Sequence, residues 1–171
     1  FAVTATPGHW NCFHNQALLA TVPSSGFSVG LENRFMIPAL SSKAVSGILA
    51  CRPAPLALVA THYGNADYFR IFTGLGSAVK ISNSISLGVQ VDYISERGAG
   101  EYRDVSHVTF ETGVTCLISP ALTFGVHLFN PLAPMNTLPS SIDAGLNWTQ
   151  SEGLFLTLTG SKASNEPLSV Q

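Results

Sequence analysis

An all-β fold, an antiparallel up-and-down transmembrane β-barrel, is what this sequence predicts, and three observations carry the reading. Stretch after stretch alternates apolar and polar residues with period two. The connections between stretches alternate short and long, as in membrane barrels. The chain is 46% hydrophobic and only 11% charged, whereas soluble domains carry about 25% charged residues. Mean hydropathy is positive, yet no run of about 18 apolar residues exists, which excludes a transmembrane helix.

The alternation begins after residue 25. In FSVGLENRF (27–35), Phe27, Val29, Leu31 and Phe35 oppose Ser28, Gly30, Glu32 and Arg34. KAVSGILAC (43–51), LALVATHY (56–63) and YFRIFTGLGSAVK (68–80) alternate less cleanly. In ISLGVQVDYI (85–94), Ile85, Leu87, Val89, Val91 and Tyr93 oppose Ser86, Gly88, Gln90 and Asp92. VTFETGVTCLI (108–118), LTFGVHLF (122–129) and IDAGLNWT (142–149) repeat the pattern, and GLFLTLTG (153–160) is a weaker case. That predicts about nine strands of roughly ten residues, a length suited to a tilted membrane span. Four connections are short: 52–55, 82–84, 119–121 and 149–153. Four are longer and rich in Gly, Pro, Ser and charge: 35–43, 63–68, 95–104 and 130–141.

Each ribbon has an apolar and a polar face. In a soluble sandwich the apolar face is a core and the polar face meets water; in a membrane barrel the apolar face meets lipid. The polar face here carries Gly30, Gly74, Gly76, Gly88, Gly113, Gly125 and Gly145, which suits a crowded interior. Its charges have both signs: Glu32, Arg34, Arg70, Asp92, Glu111 and Asp143. Buried, they would have to pair, so they are predicted to form a polar network in the lumen. Lysine, which soluble sheets often place on their edges, is nearly absent from strand middles. The soluble sandwich stays open as an alternative.

Little in the sequence points to chemistry. The net charge of −2 and the lack of a basic stripe argue against nucleic-acid binding. No nucleophile elbow, phosphate loop or dinucleotide fingerprint occurs. Cys12, Cys51 and Cys116 lack metal-type spacing, and His9 and His14 beside Cys12 match no zinc pattern. No cofactor or metal is expected. His107 and His127, with Glu111 and Asp143, could form an acid/base group, although lumen residues more often satisfy one another. Tyr63, Tyr68, Phe69, Tyr93, Phe129 and Trp148 lie near strand ends, as in an interfacial aromatic girdle.

The opening FAVTATPGHWNCFHNQALLA resembles the start of the FadL/PorV/PorQ-like outer-membrane barrels of Gram-negative bacteria. Phe1, Ala2 and Val3 match that family's opening. Asn15, Gln16, Ala17, Leu18, Leu19 and Ala20 stand where the family has N-P-A-G-L-A, with Gln16 replacing the proline and Leu18 the glycine. Strands such as SISLGVQVDYI and the N-P-L at Asn130 to Leu132 extend the likeness along the chain. The resemblance implies an N-terminal plug over residues 1–25, with a short helix at Asn15 to Ala20, followed by barrel strands over 26–171. It also implies the outer membrane as the location and its lipids as surroundings. LSVQ at the end alternates again, so the chain is expected to begin another strand there and to lack the last strands of the wall.

The predicted function is a non-enzymatic outer-membrane barrel serving as an accessory subunit of a secretion or assembly complex. Its partner would be a larger barrel or surface lipoproteins. Leu40, Pro131, Leu132, Pro134, Met135 and Leu138 make two long loops apolar enough to dock such a partner. The alternatives are FadL-like passage of hydrophobic small molecules, with Gly74 and Gly76 kinking one strand, and a soluble secreted binding module.

Overall fold

The computed structural model describes residues 3–4, 8–37, 40–98, 104–132, 138–151, 154–164 and 166–170. The strands are β1 (Gly26–Asn33), β2 (Ser41–Leu49), β3 (Leu56–Gly64), β4 (Tyr68–Lys80), β5 (Ile85–Gly98), β6 (Val105–Ser119), β7 (Leu122–Phe129), β8 (Ser141–Ser151), β9 (Leu154–Ala163) and β10 (Ser169–Val170). They form one ten-stranded sheet in sequence order, β1 to β10, with every ladder antiparallel. Among the described residues no ladder joins β1 to β9 or β10. The predicted meander is therefore present with one more strand, the short β10 inside LSVQ.

The faces sort as period two requires. Every strand puts exposed apolar residues on one side: Phe27 77%, Leu58 61%, Leu75 60%, Val91 58% and Leu156 60% exposed are examples. On β2 to β9 the middle of the other side is buried or half-buried: Ser46 and Asp92 are fully buried, and Gln90 is 1% exposed. No second sheet covers the apolar side among the described residues.

The N-terminal residues lie across the buried side. Two 3₁₀ turns, Asn11–Phe13 and Gln16–Thr21, are linked through Asn15, whose side-chain oxygen accepts from the Ala17 N–H and caps the second turn. Trp10 rests on Gly30 of β1, Cys12 Sγ lies 3.2 Å from Ser46 Oγ of β2, and the Phe13 and Phe72 rings sit 6.3 Å apart at β4. Gln16 reaches β5 and β6, while Val3 and Thr4 press on Gly125 of β7. Glycine makes the approach possible: a Cβ at Gly88 would fall 2.3 Å from the Gln16 carbonyl carbon, and one at Gly113 only 1.9 Å from Asn15 Oδ1.

Several expectations need correction. The 63–68 connection is a tight turn of residues 65–67, because the Asn65 side chain accepts from the N–H groups of Asp67 and Tyr68, both at 3.0 Å. Gly64 precedes it at φ 104°, a conformation that favours glycine. β5 continues to Gly98, since Arg70 of β4 and Glu96 are register partners and pair at 3.3 Å. β1 stops at Asn33 because Phe35 and Met36 take positive φ, 57° and 59°. Gly74 and Gly76 do not kink β4: its ladders to β3 and β5 run without a register shift. A Cβ at Gly74 would instead meet Asp92 Oδ1 at 2.6 Å.

Candidate functional site

The buried side divides into two halves. Across β2 to β4, Ile48, Ala57, Val59 and Ala78 pack with Cys12 and Leu19 of the N-terminal segment, joined by Phe13 and Phe72. Burial pushes the Cys12 thiol up in pKa, so it serves here as a small apolar group. Across β5 to β8 the same side is polar and contains the chemistry.

Glu111 of β6 is the hub of the polar half. His127 of β7 places Nε2 3.0 Å from Glu111 Oε2 and Nδ1 3.3 Å from Asp143 Oδ2 of β8. A ring facing an acceptor at each nitrogen donates both ways only as imidazolium. Gln16 Nε2 donates to the same Glu111 oxygen and also to the Cys12 carbonyl at 3.1 Å. Gln90 is the register partner of Glu111, and its amide donates to Asp92 Oδ1 at 2.9 Å. Asp92 adjoins Glu111 in turn. The strands position these groups by parity alone: residues 90, 92, 111, 127 and 143 all fall on the buried side.

Asn15 pins the N-terminal segment beside this hub. Its Nδ2 donates to the Val3 carbonyl at 2.9 Å and reaches the Val114 and Val126 carbonyls of β6 and β7 at 3.3 and 3.4 Å. Beyond it lies a cavity of about 220 Å³ lined by Val3, Phe13, His14, Glu111, His127, Phe129, Ser141 and Asp143. Burial lowers the His14 pKa and favours its neutral form. Asn130 closes the wall above: Thr109 Oγ1 donates to its side-chain oxygen at 2.8 Å, and its Nδ2 donates to the Leu138 carbonyl at 3.0 Å. Its φ of 48° is one that asparagine tolerates.

The six charges expected in one lumen network do not meet. Asp92, Glu111 and Asp143 join the hub. Glu32 and Arg34 pair with each other at 2.8 Å in the open, and Arg70 pairs with Glu96 on the rim. Glu32 and Arg70 have the inward parity, but they sit at strand ends, where the wall no longer shields them. Phe129, expected in an aromatic girdle, lines the cavity instead. Gln16, Ala17, Leu18 and Leu19 are buried and Ala20 is half-buried. Of the loop residues, Pro131 and Leu132 are exposed, Leu40 and Leu138 are half-buried, and Pro134 and Met135 lie outside the described residues. Phe1 and Ala2 lie outside them too.

Sequence reasoning missed the place of Gln16 and Gln90 in the hub, and the display of Phe35 and Met36, 84% and 88% exposed. The parity of Gln90 could have found the first; nothing in the sequence signals the positive φ of the second.

Comparison with family models, characterised proteins and solved structures finds no match. Cys12, Cys51 and Cys116 are free thiols, and the described residues hold no group of His, Cys, Asp or Glu placed to bind a metal.

Proposed function

We propose that this chain is a wall of an outer-membrane β-barrel, plugged by its own N-terminal segment, that serves as a non-enzymatic accessory subunit of a secretion or assembly complex. One observation carries the reading: the polarity of the sheet is reversed. Exposed Val, Leu, Ile, Phe or Trp side chains project from all ten strands, while Gln90, Asp92, Glu111 and His127 are buried. Water penalises that arrangement and lipid favours it, because apolar surface costs about 25 cal/mol per Å² only where it meets water. A soluble sandwich would need a second sheet over those side chains.

The accessory role rests on what fills the interior and what the loops display. A segment pinned by Asn15 and Gln16 lies across the buried side, which does not suit free passage. At the long-loop end, Phe35, Met36 and Leu132 are 84%, 88% and 76% exposed, the kind of apolar display a partner covers. FadL-like transport has less support, since β4 carries no kink and the apolar half of the interior is occupied by Leu19 and Phe13.

The test has two steps. The protein should fractionate with outer membranes and run as a folded, heat-modifiable band; recovery in the soluble fraction would end the reading. Cross-linking in native membranes should then capture a larger barrel or a lipoprotein, and Phe35→Asp with Leu132→Asp should abolish the capture without changing the heat-modifiable band. Capture that survives both substitutions would place the docking surface elsewhere.

A further inference from the structure

We propose that the groove beside Lys162, on the outward side of the sheet at its long-loop end, seats the phosphate headgroup of an anionic lipid. The inference rests on the membrane reading above and names the class of lipid that this face selects.

The sign of the charges on the two sides is the first argument. Ladder parity gives the inward side to the strand carboxylates Glu32, Asp92, Glu96, Glu111 and Asp143. The same parity turns three cations outward. Lys43 of β2 is the register partner of Leu31, Arg97 of β5 of Phe69, and Lys162 of β9 of Ile142. Among the described strand residues no carboxylate shares that outward side. A face turned to water has no reason to exclude one sign.

Height along the strands is the second, independent argument. All three cations stand within two residues of the long-loop end of their strand, and the middle of the outward side is uncharged. In a membrane wall that is the level where hydrocarbon gives way to headgroups. A long cationic side chain reaches the interface from there, and basic residues at that level attract anionic headgroups.

The groove itself supplies the rest of the site. It measures about 290 Å³, and Leu128, Pro131, Ser140, Ile142, Lys162 and Ser164 are among its walls. Leu128, Ile142 and Lys162 are successive register partners across β7, β8 and β9, so an apolar floor runs straight into an ammonium group with three donors. The Ser164 N–H donates to the Ser140 carbonyl at 2.9 Å and ties the rims together. No described carboxylate pairs with Lys162, whereas Arg97 is partly neutralised by Asp104 at 3.5 Å. A phosphate beside an acyl chain matches this combination. An acidic protein segment would match the cation and leave the apolar floor bare.

Native mass spectrometry of the full chain from maltoside micelles tests the proposal, with dioctanoyl phosphatidic acid, dioctanoyl phosphatidylcholine, inorganic phosphate and a glutamate oligopeptide as probes. Phosphatidic acid should bind saturably and about fivefold more tightly than phosphatidylcholine, the preference expected of one lysine at an anionic surface. Lys162→Gln should remove that preference and Lys162→Arg should keep it. Lys80→Gln, at the short-turn end, should leave it unchanged. Equal binding of phosphatidylcholine, or an undiminished preference in Lys162→Gln, would overturn the assignment. So would displacement by equal concentrations of inorganic phosphate, which would mark an ion site, or of the oligopeptide, which would mark a protein site. The heat-modifiable band in lipid-free maltoside is checked first. Its absence would overturn the membrane reading and this inference together, and a folded band without lipid preference would overturn this inference alone.

Discussion

The two halves of the sheet's buried side hold the same N-terminal segment by different physics. Over β2 to β4, Leu19 and Phe13 sit against Ile48, Val59 and Phe72, where contact is non-directional and stability follows buried area. Over β5 to β8, Gln16 and Asn15 sit against Glu111, Gly113 and the backbone of β6 and β7, where each group needs a particular partner. The apolar half anchors the segment. The polar half fixes its register, because a slip of one residue would leave buried donors and acceptors unpaired.

That contrast can be broken from either side. The largest effect is expected in the polar half. His127→Leu removes the donor to both Glu111 and Asp143 and should cost about 3–5 kcal/mol in urea unfolding from micelles, as for a broken buried ion pair. A loss below about 1 kcal/mol would mean that the hub is solvated rather than sealed. In the apolar half, Leu19→Ala leaves a cavity in a tight site and should cost about 3 kcal/mol. If that change were harmless, the segment would not be anchored there.

The next comparison is between the two sides of one strand. Val91→Arg, on the outward face of β5 near its middle, should lower stability in lipid vesicles by about 2–4 kcal/mol if that face meets hydrocarbon. A neutral or more soluble variant would mean that it faces water. The smallest effect belongs to the rim. Arg70→Gln removes the half-exposed pair with Glu96 and should change unfolding by less than about 1 kcal/mol, with the effect fading in high salt. A larger loss would show that the rim pair belongs with the hub.

Legibility followed the same division. β5 and β6 alternate cleanly because their inward residues are polar and their outward ones apolar, so ISLGVQVDYI displays both faces. β2 and β3 were harder to read because they are apolar on both sides: Ile48, Ala57 and Val59 inward, Val45, Leu49 and Leu58 outward. An alternation signal vanishes when both environments are greasy. The charges show the other limit. Parity placed Glu32 and Arg70 inward, but parity says nothing of height along a strand, and height decides that Asp92 is buried while Arg70 meets the rim.

The sequence by itself determined the strand count to within one, the order of the meander and, on the cleanly alternating strands, which side is apolar. Those properties are local: they follow from a two-residue repeat and from turn chemistry within a few positions. Only the tertiary structure decided that Gln16 meets Glu111 across 95 residues, that His127 bridges two carboxylates from neighbouring strands, and that Phe35 and Met36 are thrown outward. Such meetings depend on ladder register and on where the N-terminal segment lies against the sheet, and no window of the chain contains both.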